Sequence, residues 1–363
     1  MKNIYIQILD LHPTFPSLVL ATVIRSIGST PQKPGSSALF GKSGLITGTV
    51  GGGILEAKVQ EISKNAIESK DSFKATFSLN KDITDGENAI CGGQISVLIG
   101  SDTYKHLSVY EEIKKSVNNK IPGVLITMIS GITDNKVIID RYWMTEKNKP
   151  GIQDRLLQKI EPEVKSILMK YDPSDFRELE LSNQDNETSV LILLEPVFPP
   201  LSLVIAGAGH IGKALAHLGS LLDFEVTIID DRAEFANKKN IPDAEFIIVE
   251  NIGQALQKLK KSSDTYIVIV SRGHEDDAGA LKVCIGSEAG YIGMIGSKNK
   301  VATMRRDFID KGWATEQQWE SVHTPVGIDI NSRTVEEIAL SIAAQLIQVK
   351  NGRLLRPAKR NSQ

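Results

Sequence analysis

From residue 201 onward the chain alternates short, near-continuous apolar runs with amphipathic ones. LSLVIA (201–206), FEVTIID (224–230), EFIIV (245–249), TYIVIVS (265–271) and YIGMIG (291–296) have strand length and β-branched content. HIGKALAHLGSLL (210–222), FANKK (235–239), IGQALQKLK (252–260), DDAGALKVCIGS (276–287) and NKVATMRRDFIDKG (299–312) read as the intervening helices. This rhythm, with strands apolar on both faces, predicts a Rossmann-like doubly wound parallel sheet. A last helix, TVEEIALSIAAQLIQVK (334–350), opens on a capping box of Thr334 and Glu337, and the tail from Asn351 is expected to fray.

The first half is less regular. A helix is predicted near 2–11, a strand at LVLATVIRSIG (18–28), a loop at STPQKPGSS (29–37), short strands at 38–41 and 45–50, and a helix over 53–69. Strands at 73–79 and 94–100, a helix at 104–118 and strands at 123–129 and 136–143 follow, with TDNK (133–136) as a hairpin turn. A helix at 153–170 and strands at 177–182 and 189–197 complete it. Without strict alternation this half reads as a separate, mixed α/β or α+β domain. The boundary falls at Pro199–Pro200, giving an N-terminal domain over 1–198 and a C-terminal Rossmann-like domain over 199–363.

Composition adds little to that division. A chain of 363 residues exceeds what one core usually fills, in agreement with two domains. With 41% hydrophobic and 24% charged residues and a net charge of −2, it has the balance of a soluble globular protein. It lacks the basic surplus of a nucleic-acid or membrane-surface binder. No stretch has the length of a membrane span, the start MKNIYIQILDLHPTFPS lacks a signal layout, and the six histidines show no metal-ligand spacing. Cys91 and Cys284 form neither a disulfide framework nor a zinc pattern. The expected setting is the cytoplasm, with reduced thiols and no metal site.

The chemistry concentrates in glycine turns. VIAGAGHIGKALA (204–216) follows a strand and opens a helix, the setting of a dinucleotide-binding turn. Gly207 permits the tight turn, Gly209 lets a pyrophosphate approach and Gly212 lets helix lie on strand, while the helix N-terminus adds partial positive charge. Asp230 ends the next strand, where a carboxylate bonds a ribose hydroxyl, and Arg232 beside it suits a phosphate. The same turn also serves plain helix–strand packing, and both readings stand here. VSRGHEDDAGAL (270–281) places Arg272, His274, Asp276 and Asp277 just past another strand. They form either a polar cluster beside the nucleotide crevice or a solvated loop with a helix cap. His323, in HTPVGIDI, reads first as a hydrogen-bonded loop histidine.

The other turn, TGTVGGGILEAKV, places Gly51, Gly52 and Gly53 before a helix with Leu55, Val59 and Ile62 on one face and Glu56 in its first turn. Three successive glycines cost backbone entropy that a mere connector avoids, so they point to a ligand against the main chain. Glu56 is equally well explained as a carboxylate favouring the helix dipole. Cys91 sits on a Gly-Gly turn in NAICGGQISVLIG, as either an accessible thiol or an inert strand residue.

Taken in order, GSTPQKPGSSALF, GTVGGGILE, CGGQISVLI, VIAGAGHIGKAL, VTIIDDRAEFA, SRGHEDDAGAL, YIGMIGSKNKV and HTPVGIDINSRTVEEIALSIAAQLI resemble the XdhC/CoxI family. Its members are the maturation factors of xanthine dehydrogenase and carbon monoxide dehydrogenase. The resemblance spans residue 22 to about 347 and touches both halves, with 100–198 adding little. It implies a cytoplasmic accessory protein that binds molybdenum cofactor, keeps it sulfurated and delivers it to a xanthine dehydrogenase-type apoenzyme. It further implies a cysteine desulfurase as partner, and a homodimer would give such a carrier a shared cleft. In that setting Gly51–Gly53 suit the phosphate of the pterin, and the Gly207 turn the pyrophosphate of a dinucleotide form. Cys91 suits contact with the metal–sulfur centre or a sulfur relay. Two positions depart from the family pattern: Gln32 stands where members carry Arg, and Gln345 where Glu is frequent. The first leaves Arg25, Lys33 and Lys42 as nearby cations.

Two other readings compete. One is an NAD(P)-dependent oxidoreductase that holds its cofactor with Gly207, Gly209, Gly212 and Asp230 and moves a proton with His274 or Asp276. The other is an interaction module with a vestigial Rossmann half. The carrier reading is preferred, because a dehydrogenase leaves the ordered N-terminal motifs unexplained. Cys91, Glu56, His274 and Asp276 are the catalytic candidates across these readings.

Overall fold

A computed structural model of the protein describes residues 3–79, 93–182 and 189–354. The chain divides into two compact units at Pro199–Pro200, where prolines withhold the amides that would carry a ladder onward.

The N-terminal unit begins with α1 (Ile4–Leu11), β1 (Val19–Ile27), β2 (Ser37–Gly41), β3 (Gly44–Gly48), α2 (Gly53–Ser69) and β4 (Ser72–Ser78). It continues with β5 (Gln94–Gly100), a 3₁₀ turn (Thr103–His106), α3 (Leu107–Asn118), β6 (Gly123–Thr133), β7 (Lys136–Thr145), α4 (Asp154–Lys170), β8 (Arg177–Ser182) and β9 (Ser189–Val197). The nine described strands form one sheet, ordered β3-β2-β1-β5-β4-β7-β6-β9-β8, whose ladders are antiparallel. β4 and β7 meet only through Ser72–Phe73 and Lys136–Val137. At that short seam the sheet folds, and its halves bury each other: Ile24 and Leu98 pack with Ile129, Ile139, Leu191 and Leu193. Each outer face takes a helix. Leu55, Val59 and Ala66 of α2 cover Val19, Ala21, Val23 and Phe40, and Ile160, Val164 and Ile167 of α4 cover Val124, Ile126, Ile192 and Leu194. Burial on both faces explains why β1 and β9 are predominantly apolar at their centres.

The C-terminal unit comprises β10 (Ser202–Ala206), α5 (His210–Leu221), β11 (Glu225–Asp230), β12 (Phe246–Val249), α6 (Ile252–Lys258) and β13 (Thr265–Ile269). It ends with α7 (His274–Cys284), β14 (Tyr291–Met294), α8 (Lys298–Asp310), α9 (Glu316–Glu320) and α10 (Val335–Leu354). Its strands are parallel in the order β12-β11-β10-β13-β14, the doubly wound sheet expected from the sequence. One face carries α5 and α10, through Leu215, Ala339, Ile342 and Leu346. The other carries α6, α7 and α8, through Leu256, Leu281, Met304 and Phe308. The strand order reverses between β10 and β13, where open α/β sheets bind ligands.

Three local expectations are corrected. FANKK is not a helix, because Asn side chains take over the backbone partners: Asn237 Nδ2 donates to the Ala233 and Glu234 carbonyls, and the Asn240 amide donates to Asn237 Oδ1. The predicted helix at 104–118 opens as a 3₁₀ turn before α3 begins. α10 runs four residues into the segment expected to fray, through Leu354. Its predicted capping box is present, with Thr334 and Glu337 exchanging bonds of 3.1 and 3.2 Å.

Gln345 of α10 fastens β14 and the loop between α9 and α10. Its Oε1 accepts from the Tyr291 hydroxyl at 2.6 Å and from the Gly327 amide at 2.9 Å. Gln345→Leu strands both donors, and we expect a loss of about 2–3 kcal/mol by chemical denaturation. Gln345→Glu keeps both acceptor bonds and is expected to cost less than half of that; equal losses would overturn the assignment.

Candidate functional site

Each unit carries one glycine turn, and the two turns use glycine differently. In the N-terminal unit, Gly52 is the N-cap of α2 at φ 68° and ψ −176°, a region essentially closed to other residues. Gly51 and Gly53 are also at positive φ, 137° and 55°. A Cβ on Gly52 or Gly53 would meet nothing within 4 Å, so open space lies above the turn. Gly52 provides no side-chain cap for the first amides of α2. Thr49 braces the turn from below. Its hydroxyl donates to Glu56 Oε2 at 2.9 Å and accepts from the Gly51 amide at 3.1 Å.

The loop between β1 and β2 meets this turn, and the start of β5 meets that loop. A Cβ on Gly51 would stand 2.8 Å from Pro31 Cγ, and one on Gly93 would stand 2.5 Å from the Ser29 carbonyl oxygen. The loop between β1 and β2, the glycine turn and the start of β5 therefore gather at one end of the sheet. Gln32 is held inside its own loop, where Oε1 accepts from Ser36 Oγ at 2.9 Å. Arg25 is committed to Glu178 through a bidentate pair. Lys42 lies in the β2–β3 hairpin turn, at the opposite end of those strands from Gly48. Lys33 is exposed on the loop itself. Ile54 in the first turn of α2 and Ile27 at the end of β1 are exposed apolar side chains, 45% and 55% accessible. Cys91 lies outside the described residues.

In the C-terminal unit the three glycines of the β10–α5 turn answer to separate demands. Gly207, at φ 126°, abuts the Val270 carbonyl oxygen, 2.5 Å from where its Cβ would be. A Cβ on Gly212 would stand 1.9 Å from the Gly207 oxygen, whereas Gly209 has nothing within 4 Å. Only Gly209 faces open space.

Asp230 ends β11 with its carboxylate buried. Oδ2 accepts from the Ala208 amide at 2.8 Å and Arg232 Nη2 at 2.9 Å, and Oδ1 accepts from the Arg232 amide at 3.0 Å and Nε at 2.8 Å. Burial works to raise the Asp230 carboxyl, but the bonds from Arg232 and the Ala208 amide outweigh it, and the group sits below its ordinary value. The Arg232 guanidinium also lies over the Phe235 ring, 4.1 Å from its centroid. Asp231 and Arg272 form a loose, exposed pair at 3.8 Å.

His274 opens α7, and Asp276 is exposed in the same turn. Its neighbour Asp277 is fully buried, bonded to Ser271 Oγ and Lys300 Nζ. Burial raises the Asp277 carboxyl, with Lys300 and Ser271 opposing that shift only in part. Sequence reasoning missed Ser271 and Lys300. A serine at a strand end and a lysine in the first turn of a later helix carry no shared pattern, and only the parallel neighbours β13 and β14 bring them together. His323 stacks on Tyr291 at 4.6 Å, in a row continued by Tyr266 and Phe224. Burial holds its ring pKa below the ordinary value, as for a packed aromatic. Cys284 is buried with its thiol pushed up to about 11. Among the described residues no group of three His, Cys, Asp or Glu converges, and no helix is long and apolar enough to cross a membrane.

Comparison with known proteins covers both turns. Residues 17–78 match the XdhC and CoxI family and residues 203–346 match the XdhC Rossmann domain. A Bacillus subtilis protein named as a probable xanthine dehydrogenase subunit is 24% identical over 335 residues, 92% of this chain and 93% of that protein. The uncharacterized protein YqeB of Escherichia coli is 24% identical over 361 residues, and the chain spans about half of that relative's length, 48%. The crystal structure of a Bacillus halodurans protein described as a xanthine dehydrogenase superposes with a TM-score of 0.76 at 22% identity, covering 98% of this chain and 97% of that one. That likeness establishes a shared fold.

Proposed function

Because the chain belongs to the XdhC and CoxI family, which supports a role in xanthine dehydrogenase maturation, we propose that it carries molybdenum cofactor and hands it to a xanthine dehydrogenase-type apoenzyme. The cofactor is cargo: a pterin with a terminal phosphate and a dithiolene that holds the metal. The protein receives it, keeps it sulfurated in concert with a cysteine desulfurase, and passes it on without turnover of its own.

One observation carries this reading. The loop between β1 and β2 packs against an uncapped helix N-terminus with open space above it, and the start of β5 packs against that loop. An uncapped helix N-terminus beside open space, with the helix dipole behind it, suits a phosphate. The exposed Ile54 in the first turn of α2 suits the flat ring of a pterin. Thr49 and Glu56 hold the turn in shape, which gives Glu56 a bracing role.

The test is cofactor loading, read as pterin and molybdenum per chain after purification with the cofactor. Asparagine tolerates the left-handed region, so Gly53→Asn keeps the backbone at φ 55° and places a side chain in the cradle. It is expected to lower loading at least tenfold while the melting temperature stays within about 3 °C of the parent. Unchanged loading in a folded Gly53→Asn protein would remove the glycine turn from the site.

A further inference from the structure

We propose that the crevice at the carboxyl end of the parallel sheet takes a nucleotide whose ribose carries a phosphate, and that Arg232 selects it. This goes beyond the carrier reading and does not rest on it. The ligand concerned has neither pterin nor metal.

The first ground is the state of Asp230. In dinucleotide-binding sheets a carboxylate at the end of the second strand bonds the free ribose diol. Asp230 occupies that place, but its carboxylate already accepts four N–H bonds, two on each oxygen, from Ala208 and Arg232. A carboxylate offers about four lone-pair sites, so all are taken. A free diol entering here finds no open acceptor on Asp230 unless it displaces a bidentate, charge-assisted pair.

The second ground is what those bonds do to Arg232. A guanidinium has two edges that donate in parallel, Nε with Nη2 and Nη1 with Nη2. Asp230 takes the first edge, through Nε at 2.8 Å and Nη2 at 2.9 Å. Phe235 lies against the plane of the group at 4.1 Å. The second edge is thereby fixed in direction with its donors unused, and the side chain keeps 20% of its surface accessible. A planar fork held from the side and from below has lost its rotamer freedom before any ligand arrives. That geometry matches two oxygens of a phosphate group and has no counterpart for a neutral hydroxyl pair. An arginine at this strand end is where such folds accommodate a 2′-phosphate.

The rest of the crevice is compatible with such a ligand. Gly209 leaves room above the uncapped N-terminus of α5, where a pyrophosphate would lie. Asp231 and Glu234 place negative charge near Arg232, but both are exposed, and Arg272 answers Asp231 from the adjoining loop. At 3.8 Å that pair is loose enough for Arg272 to turn to an incoming anion.

The experiment is calorimetric titration of the full-length protein with NADP+ and NAD+, and with adenosine 2′,5′-bisphosphate and adenosine 5′-monophosphate. The expected result is at least tenfold tighter binding of the 2′-phosphorylated member of each pair. Arg232→Lys keeps the charge but not the fork, and is expected to bring the ratio to within about threefold of unity, with Asp230 still paired and the fold retained. Equal affinities, a preference for NAD+, or no binding of either pair at millimolar concentration would overturn the proposal. So would an Arg232→Lys protein, folded by its melting curve, that keeps the full preference. Because none of these probes contains a pterin, their failure leaves the cofactor-loading result untouched, and the converse also holds.

Discussion

Gly212→Ala is expected to destabilise the C-terminal unit by about 3 kcal/mol, lowering its melting temperature by roughly 10 °C. Helix propensity alone predicts the opposite sign, because alanine inside a helix is favoured over glycine by about 1 kcal/mol. Packing decides the outcome. The new Cβ would stand 1.9 Å from the Gly207 carbonyl oxygen, far inside any contact distance. That oxygen belongs to backbone, and the backbone is pinned: the Gly207 amide donates to the Ile229 carbonyl at 2.8 Å, and its Cα side abuts the Val270 carbonyl. Relief requires α5 to move off β10, which disturbs Leu215 and Ala216 in the core below. Gly209→Ala supplies the control. Gly209 has φ −69° and open space at its Cβ, so alanine there is expected to change stability by no more than about 0.5 kcal/mol. Thermal melts followed by circular dichroism compare the two. A Gly212→Ala protein melting within about 2 °C of the parent would show that the helix is not held this closely.

This contrast separates two uses of glycine that look alike in sequence. Gly207 and Gly212 are required by packing, and a turn of that kind persists whether or not a nucleotide is bound. Gly52 and Gly53 touch nothing, so packing does not require them. Their backbone angles do, at a helix N-terminus that no side chain caps. The motif that resembles an ordinary nucleotide turn is thus the weaker functional signal of the two.

The parallel sheet was legible because its inner strands β10, β11 and β13 are buried on both faces, and an apolar run of strand length reports that directly. The helix over 53–69 was legible for the same kind of reason, since Leu55, Val59 and Ala66 recur on one face. What hydrophobic periodicity does not report is the identity of a partner. Nothing local to Ser72 or Lys136 announces that β4 and β7 meet for two residues and fold the sheet there. Candidate residues divide along the same line. Asp230 was found from its place at a strand end, but its saturation depends on an amide and a guanidinium whose direction only the folded turn fixes. The Asn237 and Asn240 turn was missed because FANKK was weighed as a helix, without the competing side-chain bonds.

Glu195→Gln is expected to flatten a pH dependence that the parent protein shows between about pH 5 and pH 8. Glu195 lies on β9 and accepts from the Tyr5 hydroxyl at 2.6 Å, fastening α1 to the sheet. Burial raises its carboxyl from 4.5 to about 7, although the Tyr5 bond and the buried Arg141 pull the other way. The folded state therefore holds this proton more tightly than the unfolded chain does. Below about pH 4.5 the group is protonated in both states and its contribution is fully present. As the pH rises toward 7 the unfolded chain ionises first, and stability falls by about 3 kcal/mol, at 1.36 kcal/mol per pH unit of difference. Above that range both states are ionised and the loss is complete. Glutamine keeps an acceptor for Tyr5 and has no proton to lose. Its stability relative to the parent should thus grow by about 2–3 kcal/mol between pH 5 and pH 8. Tyr110, Asp102 and His106 complete the polar cluster around Arg141, with His106 Nε2 3.3 Å from Asp102 Oδ2. Both proteins contain them, so their titration cancels when the two urea midpoints are subtracted at each pH. Parallel profiles for parent and variant would mean that Glu195 is ionised in the fold throughout, and that Arg141 outweighs burial at this site.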